Sequence, residues 1–256
     1  MDQAAELVAF YDESYSREGA DAELYARWRA LSAVGKADHV VALCGRAGIV
    51  PSGLVEVGCG DGALLTELQR RGVGTRFSGF EITDAAVAIA SERPHLKVAR
   101  YDGEHLPVAD GTYDLGILSH VLEHVPDPAV LLREVGRACR AVVVEVPLEA
   151  NISARRASKR VGATEVGHLH ALDRAAVARF VSEAGLRITA ELDDALPLAV
   201  HRFFATSPPA RARATVKWGV RAGLAAGAPP LARRLFTVHY ACLCQAAEGR
   251  VAGARD

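Results

Sequence analysis

The chain has 256 residues, enough to bury one large core, and two separate cores are not required. Half of the residues are hydrophobic and 24% are charged, which argues against a disordered, collagenous or solenoid chain. Lys and Arg number 30 against 31 Asp and Glu, so the whole molecule is no polycation built to coat nucleic acid, and any electrostatic partner is read by a local patch.

Residues 1–48 read as mainly helical, with Tyr11, Tyr15, Tyr25 and Trp28 near a common side, a set that more often packs a core or a lid than does chemistry. From Gly53 onward short β-branched runs alternate with longer stretches near helical spacing, the pattern of stacked βα units and a mostly parallel sheet. Strands are expected over 54–57, 77–80, 96–99, 113–118 and 141–146, with helices over 63–71, 84–92 and 129–138. Asp127-Pro128 reads as a helix cap followed by proline in the first turn. After a long gap Asp173 caps a further helix to about residue 184, Gly185 ends it, and 186–192 form a sixth strand. The last strand is expected over 235–244. The segment 195–234 before it is too long for a tight hairpin; Pro197, Pro208-Pro209 and Pro229-Pro230 mark breaks around a helical stretch near 213–226. It reads as an inserted cap.

The informative stretch is Leu54-Val55-Glu56-Val57-Gly58-Cys59-Gly60-Asp61-Gly62, a buried strand that opens into three glycines and then a helix. Glycines there let the backbone turn tightly and let a ligand sit against main-chain N–H groups with no Cβ in the way. Dinucleotide folds and some structural turns use the same device. Glu81 ends the second strand about twenty positions on, where a carboxylate can accept hydrogen bonds from both hydroxyls of a ribose. The spacing GxGxG, and the lack of a nearby basic residue in the loop, argue against a pyrophosphate over the helix start.

The segment 56–62 closely resembles the first motif of class I S-adenosylmethionine-dependent methyltransferases. Asp102-Gly103, shortly after the third strand, resembles the segment that holds the adenine, and Tyr113 to Val125, with Ser119-His120-Val121-Leu122-Glu123-His124, is similar to the fourth strand and turn of the small-molecule branch. The resemblance covers 54–192. It implies an α/β, Rossmann-like, seven-stranded, mostly parallel sheet with helices on both faces and an antiparallel last strand. It also implies one methyltransferase domain over 1–256: a helical lid over 1–48, a cofactor-binding core over 49–194, the cap over 195–234 and the last strand over 235–247. The implied cofactor is S-adenosylmethionine. Glu81 would grip its ribose with Ile82 beside the adenine; Asp102 and the Gly103 N–H would read the adenine edge. Glu56 and the backbone of Gly58, Cys59 and Gly60 would hold the methionine part, with Ser119 and His120 contributing. The Cys59 side chain reads as a small filler, and Glu123 and His124 as orienting or structural groups. Asp102 and Glu81 have a turn or helix cap as their alternative role. In related enzymes an aromatic or basic residue of the N-terminal region touches the methionine end, which makes Tyr11, Tyr15, Arg29 and Lys36 candidates.

In-line methyl displacement asks for a nucleophile held close in a water-poor pocket, helped by a base where the acceptor is a hydroxyl or protonated amine. His168 and His170 lie on the expected acceptor rim and are the catalytic candidates, packing at the helix start being their alternative. Without a clear carboxylate partner they make a poor metal site, and the five cysteines have no zinc-ligand spacing, so no metal is expected. Two basic groups frame the acceptor side: Arg155, Arg156, Lys159 and Arg160, and seven Arg or Lys in 195–247, which holds no Asp or Glu. They suit an anionic acceptor or merely a solvated face in a chain where 26 of the 30 basic residues are Arg. The expected partner is a small-molecule acceptor, methylated on O or N. RNA or protein methylation and a non-catalytic cofactor-binding module are the alternatives, and nucleic acid is disfavoured because the fourth strand lacks an Asn-Pro-Pro-Tyr-like turn. The acidic N-terminal stretch and the lack of a long apolar run predict no secretory signal, no membrane partner and a cytoplasmic protein. The sheet edge and the cap offer surfaces for a homodimer, which the pattern does not demand.

Overall fold

The computed structural model describes residues 3–16, 18–154 and 167–247. Two helices, α1 (Gln3–Tyr15) and α2 (Gly19–Ala47), precede the sheet. The glycine-lined strand is β1 (Gly53–Val57), followed by α3 (Ala63–Arg70), β2 (Arg76–Glu81), α4 (Asp84–Ser91), β3 (Leu96–Arg100) and β4 (Tyr113–Ser119). Then come α5 (Pro128–Ala138), β5 (Cys139–Leu148), α6 (Arg174–Glu183) and β6 (Leu186–Asp194). Three helices, α7 (Leu198–Arg202), α8 (Pro208–Gly227) and α9 (Pro229–Leu235), lead to β7 (Val238–Ala246).

The strands form one sheet in the order β3-β2-β1-β4-β5-β7-β6. All neighbours pair in parallel except β7, which runs antiparallel to both β5 and β6. Five fully buried residues in β1 and an almost continuous buried run in β5 are what a parallel sheet covered on both faces requires. One face is packed by α2 and α3 through Ala37, Val40, Leu43, Leu65 and Leu68; the other by α5 and α6 through Leu131, Leu132, Val135, Val177 and Val181. Local signals agree with this packing. Asp127 accepts from the Ala129 and Val130 N–H groups with Pro128 behind it, Thr83 caps α4, and Asp173 caps α6 at Ala176 N.

The inserted segment differs from expectation at its prolines. Pro208 follows the capping Ser207 and opens α8 five residues before the expected start, and Pro229 opens α9. Proline lacks an N–H that the first helical turn would leave unpaired in any case, so these breaks are also beginnings. The second helix occupies 229–235, and the last strand therefore starts at Val238, after residue 235 where it was expected. No helix among the described residues is long and apolar enough to cross a membrane.

Candidate active site

The strand order reverses between β1 and β4: β2 and β3 are added on one side and β5 on the other, so a crevice opens at the carboxyl ends of these parallel strands. A cavity of about 520 Å3 occupies it. Gly58, Gly60 and Gly62 all have left-handed φ, at 76°, 53° and 72°. Gly58 and Cys59 donate their N–H groups to the Phe80 carbonyl at 2.8 and 3.2 Å, and Glu81 accepts from Gly60 N at 2.9 Å and Ile82 N at 2.6 Å. These bonds hold the glycine turn against the end of β2. Burial raises the Glu81 pKa, opposed by the backbone N–H groups it accepts from. The Cys59 thiol packs where a Cβ on Gly79 would stand 2.5 Å from its sulfur, and burial keeps it protonated.

Glu56 decides what the turn can hold. Its side chain is buried, lines the cavity, and leaves Oε2 without a hydrogen-bond partner. Burial pushes its pKa up to about 8, against the pull of Lys36. A buried carboxyl with one unpaired oxygen, on a residue that lines a cavity, calls for a cationic or N–H-donating ligand. The ammonium of a methionine moiety has that chemistry.

At the other end Ile82, Tyr101, Asp102 and Gly103 line the cavity. Asp102 also closes its own turn: Oδ1 accepts from Glu104 N at 2.8 Å and His105 N at 2.6 Å, and those N–H groups hold its pKa down. Over the turn lies α1. The Tyr15 hydroxyl sits 2.3 Å from where a Cβ on Gly60 would be, Arg29 stacks on the Tyr15 ring at 5.0 Å, and Arg29 Nε pairs with Asp61 at 2.8 Å. Tyr11 Oη lies 3.1 Å from His124 Nε2. Of the four aromatic residues expected on one side, Tyr11, Tyr15 and Trp28 line the cavity, whereas Tyr25 packs against Phe204 of the insert.

The two candidate catalytic histidines do not reach the cavity wall. Leu169 N and His170 N donate to the Glu123 carbonyl at 2.7 and 3.1 Å, so their segment runs behind the 120–126 turn. His170 bonds the Val125 carbonyl and packs on Phe180. His168 has the carboxylate partner that the sequence did not reveal, Glu149 at 2.7 Å, and its ring meets His124 at 4.7 Å. His120, His124 and His239 line the cavity in their place, with Glu145.

Glu145 is 2% exposed; burial would raise its pKa, yet the imidazoles of His120, His239 and His39 hold it well below the carboxylate range. Burial opposes charge on His39, but Asp194 and Glu145 outweigh it and lift its pKa to about 9. A lone acidic residue inside Ala141-Val142-Val143-Val144-Glu145-Val146 was the sequence signal for this cluster. His239 in the last strand carried none.

The seven basic residues of 195–247 lie off the cavity wall, which corrects the expectation that they frame the acceptor. Arg233 pairs with Asp193 at the end of β6 and Arg221 covers Phe236 just after α9, so these two engage residues that flank the insert. Arg155, Arg156, Lys159 and Arg160 fall outside the described residues. Among the described residues, Arg29 and Lys36 bring basic side chains to the wall.

Residues 25–191 match the family described as Methyltransferase domain. The chain belongs to the class I S-adenosylmethionine-dependent methyltransferases. This methyltransferase is 30% identical over 105 residues to the ubiquinone biosynthesis O-methyltransferase of Acinetobacter baylyi, a match spanning 38% of the chain and 41% of that relative's length. Its fold is similar to a geranyl diphosphate C-methyltransferase from Streptomyces coelicolor, solved with Mg2+, geranyl diphosphate and S-adenosylhomocysteine. That likeness has a TM-score of 0.66, 14% identity, and covers 96% of this chain and 98% of the other. A Haemonchus contortus phosphoethanolamine N-methyltransferase, solved with phosphomonomethylethanolamine and S-adenosylhomocysteine, gives 0.65 and 13%, covering 94% of this chain and 61% of the other.

Proposed function

We propose that this methyltransferase moves the methyl group of S-adenosylmethionine to an oxygen or nitrogen of a small-molecule acceptor held beside His120, His124 and Trp28. The observation that carries the reading is the unpaired Glu56 carboxylate oxygen beside the glycine turn, with Glu81 across it. Glu56 takes the ammonium of the methionine part. Glu81 spends one lone pair of each oxygen on Gly60 and Ile82 and has others for the ribose hydroxyls. Ile82 and Gly103 flank the adenine, and Asp102 Oδ2, whose protein partner is the exposed His105 ring at 3.3 Å, reads its amino group. Tyr11 and Tyr15 exclude water from the methionine end.

When bound, the cofactor supplies a sulfonium methyl already activated for displacement. The protein therefore needs to orient the acceptor, keep it dry and take its proton. The Tyr11–His124 pair is suited to taking the proton: burial lowers the His124 pKa, its Nδ1 donates to the Gly167 carbonyl, and its Nε2 accepts from the Tyr11 hydroxyl, which lines the cavity and can pass a proton on. Leu196, Pro197 and Val200 wall the chamber from the insert side, which favours a metabolite over a polymer. Relatives named for O-, C- and N-methylation share the fold, so the acceptor atom is a matter for the chamber. The five cysteines are free and buried, which supports a cytoplasmic setting.

Calorimetry with S-adenosylhomocysteine tests the cofactor end: wild-type protein binds saturably and Glu81→Ala loses roughly tenfold or more in affinity, about 1.4 kcal/mol. Labelled cofactor offered with a metabolite panel tests the reaction. Folded protein showing no saturable uptake of cofactor or by-product ends the proposal.

A further inference from the structure

Three strands bring metal-ligating side chains to one point on the chamber wall. His120 stands just past β4, Glu145 within β5 and His239 within β7, and one ligand atom from each lies within 4.8 Å of the others. Glu145 Oε1 is 3.6 Å from His120 Nε2 and 3.7 Å from His239 Nδ1. Those separations are too long for hydrogen bonds, and His239 Nδ1 is buried with no hydrogen-bond partner. Two ligand atoms bound to one zinc-like ion at a tetrahedral angle stand about 3.4 Å apart. Ion pairs set slightly beyond hydrogen-bond distance have the spacing of ligands that share an ion.

The surroundings agree. The other ring nitrogen of His120 lies 3.1 Å from Glu123 Oε1, an ion pair without hydrogen-bond geometry that places a buried carboxylate behind the imidazole. His120 keeps a left-handed φ of 60°, a conformation that L side chains rarely adopt. Lys36 and His39 bring positive charge to this wall, against three carboxylates in Glu123, Glu145 and Asp194. A second group, Glu123, His124 and His168, is closed to an ion: His124 faces Tyr11 and the Gly167 carbonyl, and His168 Nδ1 faces Glu149.

We propose that His120, Glu145 and His239 bind one divalent transition-metal ion, zinc-like in its preference for nitrogen and carboxylate ligands, with a coordination position open to the acceptor chamber. The binding stands apart from the methyl-transfer reading; the use of the ion rests on it. An acceptor hydroxyl in the open position would give its proton to Tyr11 Oη as Tyr11 passes its own to His124 Nε2, its oxygen would form the bond to the methyl carbon, and the carbon–sulfur bond would break with its electron pair left on sulfur.

The test is a Co2+ titration of chelator-stripped, tag-free protein at pH 7.5 without cofactor or acceptor, followed by visible absorption and calorimetry. One equivalent of Co2+ binds, Zn2+ displaces it, and millimolar Mg2+, which prefers oxygen ligands, does not. His239→Ala and Glu145→Gln each weaken uptake by roughly tenfold or more, and His239→Asn does the same should the alanine variant fail to fold. His168→Ala leaves uptake unchanged. Uptake that persists in His239→Asn and Glu145→Gln, or that is lost in His168→Ala, overturns the site. Protein that binds S-adenosylhomocysteine but no Co2+ overturns it too and leaves the cofactor reading standing; binding of Co2+ alone supports the ion while ending that reading.

Discussion

Glu56 sits where two demands on one side chain conflict. The strand that carries it is buried throughout, so its charge is costly, yet one of its oxygens has no hydrogen-bond partner and the residue lines the cavity at the glycine turn. With a folded pKa of about 8 against 4.5 in the unfolded chain, the carboxyl is neutral in the ligand-free protein at pH 7. Its contribution to stability is fully present below the unfolded value, declines as pH rises from there towards 8, and is lost beyond it. Denaturant unfolding should therefore show ligand-free wild type losing ground to Glu56→Gln between pH 5 and 8, by at most about 1.4 kcal/mol per pH unit. A difference that stays constant with pH would mean that Glu56 is already charged in the fold. The residue was legible in the sequence through its motif. Its protonation was not, because desolvation depends on what the rest of the chain packs around it.

At the scale of elements, α1 covers the site from outside the sheet. It reaches the core through few groups: Tyr15 over Gly60, Tyr11 to His124, and Asp12 to the Ala85 N–H at 3.3 Å. Removing residues 1–16 should leave the sheet folded, since no strand pairs with them, and should weaken S-adenosylhomocysteine binding by roughly tenfold or more through exposure of the methionine end to water. Calorimetry on the truncated chain returning the wild-type affinity would rule out a lid. The βα elements of 53–192 were readable because their periodicities and caps are local. The histidine candidates were misassigned for a related reason: 167–170 does follow β5, but main-chain bonds to Glu123 pass it behind the turn that forms the wall. No spacing along the chain reports which of two adjacent loops lies in front.

For the whole molecule, the site draws on β1, β2, β4, β5, β7 and both N-terminal helices, so a ligand there ties the two faces of the sheet together. S-adenosylhomocysteine at a hundred times its Kd should raise the unfolding free energy by about 2.7 kcal/mol, read as a shift in denaturant midpoint. A cofactor-independent midpoint would mean that the folded state does not bind it in preference to the unfolded chain. The sequence by itself determined the sheet, its crossover helices, the glycine turn and Glu81, because period, capping residues and φ-permissive glycines act over a few positions. Only the tertiary structure decided which histidines face the chamber, that the basic residues of the insert lie off its wall with Arg233 paired to Asp193 of β6, and that Glu145 gathers His39, His120 and His239. Those groups lie far apart in the chain, and burial and pairing arise only once the strands stand side by side.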